Sequence, residues 1–244
     1  MAAHQPPSEP CEEIISYQKL RAFIGFIGLL LPVAVVVGCF IFGDKHYSWQ
    51  HSISHYYYSK MHIVFVCTLC VLGGFLITYK GKDKWESRLS NIAGYCAFGI
   101  ASFPTSFTDF RSPGDGTNKY IEVFPKITEF WNGVHFSFAA ALFTCFVIFC
   151  LYFFQIPDDR YTGTELVKFK RRKRIYKICG WGILISILLI ALFNFVPPFK
   201  GTFAYSTFTF ETTALWFFGT AWLTKGSLAL RKVPVLKTMI KPIR

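Results

Sequence analysis

Six runs of apolar residues, each about twenty residues long, dominate this chain. A helix needs roughly that length to cross a hydrocarbon core about 30 Å thick. Only 16% of the residues are charged, whereas a soluble chain carries about 25%. The runs therefore predict an all-α, polytopic membrane protein, folded as a bundle of six transmembrane helices. The predicted spans are residues 22–42, 61–79, 89–107, 134–154, 175–196 and 209–230.

The prediction divides the chain into three parts. Residues 1–20 contain Pro6, Pro7 and Pro10 and are expected to form a flexible cytoplasmic tail. Residues 21–230 form the six-helix transmembrane domain, and residues 231–244 form a basic cytoplasmic C-terminal tail.

Lys and Arg are distributed unevenly between the two sets of loops that six spans create. The set that includes both termini holds 20 of the 26 basic residues, and the other set holds 6. Loops rich in Lys and Arg stay in the cytoplasm. We therefore expect a multi-pass protein of the cell membrane (the inner membrane in a bacterium) with both termini cytoplasmic.

The most basic stretch is "KFKRRKR", residues 168–174, next to the fifth span. Such a run can indicate nucleic-acid binding. Beside a span it is more typical of an orientation signal that contacts anionic lipid headgroups. The expected partners are therefore membrane lipids and not nucleic acid.

The string "QHSISHYYYSK", residues 50–60, lies in the first loop on the less basic side. If residues 50–62 extend the second helix outward, His51, His55 and His62 share one face. The three tyrosines Tyr56, Tyr57 and Tyr58 have two interpretations. They are typical of an interfacial aromatic belt, and they could also form the rim of a pocket.

Other polar residues are expected at the same side of the bundle, close to the ends of three further spans. Ionisable groups in such positions are costly unless they pair or line a cavity. Their convergence predicts a polar pocket open to the extracytoplasmic side, which binds a lipid headgroup or a small amphiphile. The candidate lining residues are Tyr56, Tyr57, Tyr58, Thr105, Asp109, Asn132, His135 and Glu211.

A metal site is an alternative use of the same residues. His51 and His55 have i, i+4 spacing, which suits zinc ligands. The best available set adds His135 and Asp109, with Ser54 as a supporting donor. Without such a site no cofactor is expected, and no catalytic residue is assigned.

Three strings carry a first family resemblance: "SISHYYYSKMHIVFVCTLCVLGGFLITYKG", "NIAGYCAFGIASFPTSF" and "ETTALWFFGTAWLTKG". They resemble those of a group of uncharacterised bacterial membrane proteins. The general layout of that group is similar to the six-span Frag/DRAM/Sfk superfamily. The resemblance implies six helices with both termini inside, and a role related to lipids.

A second resemblance is to the alkaline-ceramidase-like membrane hydrolases of the CREST superfamily. These hold a zinc ion with three histidines, helped by an aspartate and a serine. The resemblance implies a zinc-dependent hydrolase acting on a lipid amide or ester. This chain has six predicted spans where that family has seven, and its only His-x-x-x-His pair is His51 and His55. A channel or transporter subunit is a further alternative.

The predicted orientation can be tested by cysteine labelling in a chain whose native cysteines are replaced. We expect Ser112→Cys to react with an impermeant thiol reagent added outside the cell. Thr164→Cys, on the basic side, should react only after the membrane is permeabilised. The reverse labelling pattern would contradict both the orientation and the outward-facing pocket.

Overall fold

The computed structural model describes residues 10–42, 49–105, 129–157 and 163–230. Within these ranges every regular element is helical, which confirms the all-α class. Two 3₁₀ helices accompany the α-helices: Phe153–Gln155, and Ile53–Tyr58, which we call the cap helix. The six α-helices are α1 (Pro10–Phe42), α2 (His62–Thr78), α3 (Lys84–Ser102), α4 (Glu129–Leu151), α5 (Thr164–Phe195) and α6 (Ser206–Leu230).

Three helical stretches are long and apolar enough to cross a membrane: Lys19–Phe42, Phe130–Gln155 and Leu166–Phe195. The α2 helix, His62–Thr78, is apolar but shorter. The polar residues of α3 and α6 lie mainly in their first turns, for example Lys84 and Glu86 in α3 and Thr209 and Glu211 in α6.

The surface of the bundle carries apolar stripes along its helices. On α1 the exposed side chains recur every three or four residues, which places them on one helical face. They are Phe23, Phe26, Leu30, Val33, Val37 and Phe40. On α5 a similar stripe consists of Ile178, Trp181, Ile185 and Leu188. Contiguous apolar surface on this scale fits contact with hydrocarbon and not with water.

The six α-helices pack in a ring that follows chain order. Each contacts the next along the sequence, and α6 closes the ring against α1. The core between them is rich in aromatic side chains. Phe146 of α4 stacks on Phe218 of α6 with ring centroids 3.7 Å apart, and Trp222 packs edge-on against Phe149 and Phe154.

Several helix boundaries differ from the predicted spans by five residues or more, among them the end of α3 and the starts of α1 and α5. The α3 helix ends at Ser102 and not at residue 107, because Pro104 disfavours helical backbone at Phe103, which is extended (φ −110°, ψ 104°). The α1 helix begins at Pro10, inside the segment predicted as a flexible tail. The α5 helix begins at Thr164 and includes the basic run, since Lys and Arg are good helix formers.

The predicted outward extension of α2 is wrong. The cap helix is a separate element, and extended backbone at Ser59 (φ −104°, ψ 175°) divides it from α2. Serine side chains organise this region: Ser52 Oγ accepts the Ser54 amide, and Ser59 Oγ accepts the Met61 amide. Such local bonds compete with continuous helix. His51, His55 and His62 therefore do not share one helical face.

The backbones of α1 and α6 approach closely at two glycines. A Cβ atom on Gly25 would lie 2.8 Å from the Gly219 carbonyl oxygen and 2.7 Å from the Leu223 nitrogen. A Cβ atom on Gly219 would lie 2.6 Å from the Gly25 carbonyl oxygen. Small residues at such crossings let helices associate where lipid supplies no hydrophobic force.

We expect Gly25→Ala to lower the free energy of unfolding by about 1–3 kcal/mol, because the added methyl group meets backbone that cannot move aside. Gly74→Ala is the matched control, since a Cβ there has no neighbour within 4 Å. Its effect should stay within about 1 kcal/mol, with Ala favoured by helix propensity. Thermal unfolding in mild detergent measures both, and equal destabilisation by the two variants would contradict the close crossing.

Candidate ligand-binding site

The cap helix lies inside the bundle, in contact with α1, α2 and α6. Its tyrosines are among the most buried residues: Tyr56 is 0%, Tyr57 4% and Tyr58 7% exposed. The Tyr58 hydroxyl donates to the Thr105 carbonyl at 2.6 Å, and burial raises the pKa of Tyr58 to about 12. Tyr58 thus remains a protonated donor at neutral pH. The interfacial-belt interpretation is wrong for these three rings.

Glu211, in the second turn of α6, holds the start of the cap helix. Its Oε2 accepts the Ile53 amide at 2.6 Å and the Ser52 hydroxyl at 2.8 Å, and its Oε1 lies 3.0 Å from the same hydroxyl. The adjoining backbone adds a further bond, because the Phe208 amide donates to the His51 carbonyl at 2.9 Å. The first turns of α6 and the chain entering the cap helix are therefore joined at several points.

His135 of α4 links the cap helix to the end of α3. Its Nδ1 lies 2.6 Å from the Phe103 carbonyl oxygen, and its Nε2 lies 3.0 Å from Ser54 Oγ. A carbonyl oxygen can only accept, so Nδ1 carries a hydrogen. In the neutral imidazole Nε2 is then the acceptor, and the Ser54 hydroxyl donates to it. The ring is only 2% exposed.

A short extension of this network lies beside His135. The Thr105 hydroxyl donates to Asn132 Oδ1 at 3.0 Å, while the Thr105 carbonyl accepts the Tyr58 hydroxyl. Hydrogen bonds thus connect the cap helix with the C-terminal end of α3, the first turns of α4 and the first turns of α6. The predicted convergence of polar residues at these helix ends is visible as one cluster.

A cavity of about 50 Å³ lies next to the cluster, between the cap helix, α1, α2, α3, α4 and α6. Its wall is mostly apolar and includes Leu31, Leu69, Leu142 and Leu215. Among the described residues only Ser54 and Glu211 bring polar side chains to it. A single water needs about 10–15 Å³ by a comparable measure. The space therefore suits several waters or part of an alkyl chain.

The candidate residues occupy different positions relative to this cavity. Glu211 lines it, while Thr105, Asn132 and His135 lie in the adjoining network. Tyr56, Tyr57 and Tyr58 pack around the cap helix and are absent from the wall, so they do not form its rim. Asp109 lies outside the described residues.

The sequence patterns give too little importance to two residues of the site, Ser52 and Ser54. Ser52 was not a candidate, and Ser54 was considered only as a supporting donor for zinc. The useful signal was the pair of serines two apart ahead of the tyrosines, because serine favours the positions that begin a helix. Ser52 does precede the cap helix and accepts the Ser54 amide there.

The histidines proposed as zinc ligands have other partners. His51 Nδ1–H donates to the Ala204 carbonyl at 2.8 Å, and the His51 ring stacks on Tyr205. Both ring nitrogens of His135 are engaged, as described above. Within the described ranges, no three His, Cys, Asp or Glu side chains are grouped closely enough to hold one metal ion. His51, His55 and His135 therefore do not form a shared site by themselves.

The Ser54–His135 contact resembles a nucleophile and its general base. Acyl transfer also needs donors aimed at the developing oxyanion. The amides nearest Ser54 are already used: the Ser54 N–H donates to Ser52 Oγ, and the Ile53 N–H donates to Glu211. The Glu211 carboxylate would oppose a second negative charge. These two amides are therefore not available as oxyanion donors in this arrangement.

No protein-family model matches this chain, and no curated protein or solved structure matches it either.

Proposed function

We propose that this chain is an integral membrane protein whose central cavity binds a small amphiphile. The observation that carries the proposal is the cavity itself, an apolar space whose wall includes the polar residues Ser54 and Glu211. An amphiphile would put its alkyl part among the leucines and its polar group against these two residues. This matches the general character of ligand sites, which combine mostly apolar walls with a few placed polar groups.

The polar residues near the span ends predict a polar pocket, whereas the wall of the cavity is mainly apolar. This difference changes the expected ligand. A bare headgroup would leave most of the wall without a favourable partner, because apolar surface gains about 25 cal/mol per Å² only when it is removed from water. An alkyl chain attached to the polar group makes that contact. We therefore favour an amphiphile over an isolated headgroup.

For the membrane topology we propose six spans with both termini in the cytoplasm. The bias of Lys and Arg supports this orientation. Exposed apolar residues on helices outside those three stretches support the additional spans, for example Ile63 and Val71 on α2 and Trp216 on α6. In this arrangement the site lies on the extracytoplasmic side.

We further propose that the basic start of α5 contacts anionic headgroups on the cytoplasmic face. Lys168, Lys170 and Arg171 are exposed near the beginning of this helix. Basic residues at a membrane surface contribute about 1 kcal/mol each when the lipid is anionic. The contact would be separate from the cavity.

The cavity proposal is tested by filling the space. Protein purified in mild detergent should carry a bound amphiphile in native mass spectrometry. Ala139→Leu places a larger side chain in the cavity wall and should remove that adduct. Ala140→Leu is the matched control, because Ala140 is the next residue of α4 and faces outward.

The expected result is loss of the adduct in Ala139→Leu and its retention in Ala140→Leu, with both variants folded by circular dichroism. Equal occupancy in the two variants would overturn the proposal. A wild-type protein that carries no amphiphile, and binds none when it is added, would overturn it as well.

A further inference from the structure

Hydrogen-bond acceptors outnumber donors in the polar part of the cavity wall. Ser54 has one hydroxyl hydrogen, and that hydrogen is used on His135 Nε2 at 3.0 Å. The Phe103 carbonyl fixes this direction, because it requires the hydrogen of the imidazole to be on Nδ1. Ser54 Oγ can therefore offer only lone pairs to a ligand in the cavity.

Glu211 presents lone pairs as well. A carboxylate has about four acceptor positions and no donor. Two donors occupy it, the Ser52 hydroxyl and the Ile53 amide. About two positions therefore remain. No Lys or Arg belongs to the cavity wall in the part of the chain that the structure describes, so this carboxylate has no cation beside it there.

In the ionised form of Glu211 the polar wall is a cluster of acceptors with negative charge, and a cation bound beside the carboxyl group favours that form over the protonated one. Ser54 adjoins Ile53, whose amide binds Glu211 at 2.6 Å, and the side chains of Ser54 and Glu211 line the same cavity. A ligand that also brings only acceptors would leave buried polar atoms unpaired, at a cost of about 1–3 kcal/mol each. A ligand with several N–H donors and positive charge would satisfy them.

We propose that the ligand is a single-chain alkyl amine, bound as its primary ammonium ion. An ammonium group has three N–H donors. About two would reach the open positions of Glu211 and one would reach Ser54 Oγ, while the alkyl chain lies among Leu69, Leu142 and Leu215. This inference rests on the proposed function, and it adds the chemical class of the headgroup.

The test compares four probes with the same eight-carbon chain: octylamine, octyltrimethylammonium, octanol and octanoate. Each is titrated into the full-length protein in nonionic detergent at pH 7, where octylamine is protonated, and binding is followed by calorimetry and by the shift in melting temperature. Octyltrimethylammonium has the same charge but no N–H. It therefore separates hydrogen bonding from simple charge attraction and controls for partition into micelles.

We expect octylamine to bind at least about tenfold more tightly than octyltrimethylammonium, since a hydrogen bond to a charged group commonly contributes that much. Octanoate should bind most weakly. Glu211→Gln should remove the preference for octylamine over octanol, and Ser54→Ala should reduce it. The matched control is Glu86→Gln, which alters another buried carboxylate, bonded to Tyr79 and to the Lys82 amide, outside the cavity wall. It should leave the preference unchanged.

Three results would overturn the inference. Equal binding of octylamine and octyltrimethylammonium would show that N–H donors are not recognised. Tighter binding of octanoate or octanol would show a different headgroup, while the amphiphile cavity itself would stand. Failure of all four probes to bind or to stabilise the wild-type protein would overturn the cavity proposal together with this one. The comparison of probes on the wild-type protein stands even where a variant does not fold.

Discussion

The contact between Glu211 and the start of the cap helix is the interaction on which the site depends. It joins the Glu211 side chain of α6 to Ser52 and Ile53, and it fixes where Ser54 lies relative to His135. If the carboxylate were absent, a buried hydroxyl and a buried amide would lose their acceptor, at a cost of about 1–3 kcal/mol each. The same carboxylate also lines the cavity, so one residue has both a structural and a ligand-facing role.

A second buried carboxylate shows the same use of mixed donors. Glu86 of α3 accepts the Tyr79 hydroxyl at 2.8 Å and the Lys82 amide at 2.7 Å, and Tyr79 also accepts from Arg21 of α1. In both cases a hydroxyl and a backbone amide donate to the carboxyl group. Glu86 thereby joins α3 to the segment before it, and Glu211 joins α6 to the start of the cap helix. Glu211 differs because it also faces a cavity, where its remaining acceptors have no described partner.

Much of the fold could be predicted from local sequence, and most of the site could not. Runs of apolar residues predict helices because length and hydropathy are local properties, and α2, α4 and α6 fall close to their predicted places. Glu211 and His135 were candidates because ionisable groups near span ends need partners. Their actual partners are far away in sequence: Ile53 lies 158 positions from Glu211, and Ser54 lies 81 from His135. No local pattern contains such pairs.

The wrong helix extension has an identifiable physical cause. Helical periodicity was extended through residues 50–62, although Ser52, Ser54 and Ser59 can bond to nearby backbone and end a helix. Once the cap helix is a separate element, its tyrosines pack inward, and His51, just before it, donates to the Ala204 carbonyl. The zinc interpretation of His51 and His55 requires the i, i+4 spacing of a continuous helix, whereas the aromatic belt is contradicted by the burial of the three tyrosines.

The most direct test of this account is hydrogen–deuterium exchange of the peptide that covers residues 50–58 in the detergent-solubilised protein. Because the Ile53 amide donates to Glu211 inside the bundle, we expect slow exchange in the wild-type protein. Exchange of this peptide should be much faster in Glu211→Ala, with peptides from α4 unchanged. Rapid exchange of the peptide in the wild-type protein, or protection that is unaffected by Glu211→Ala, would contradict the account.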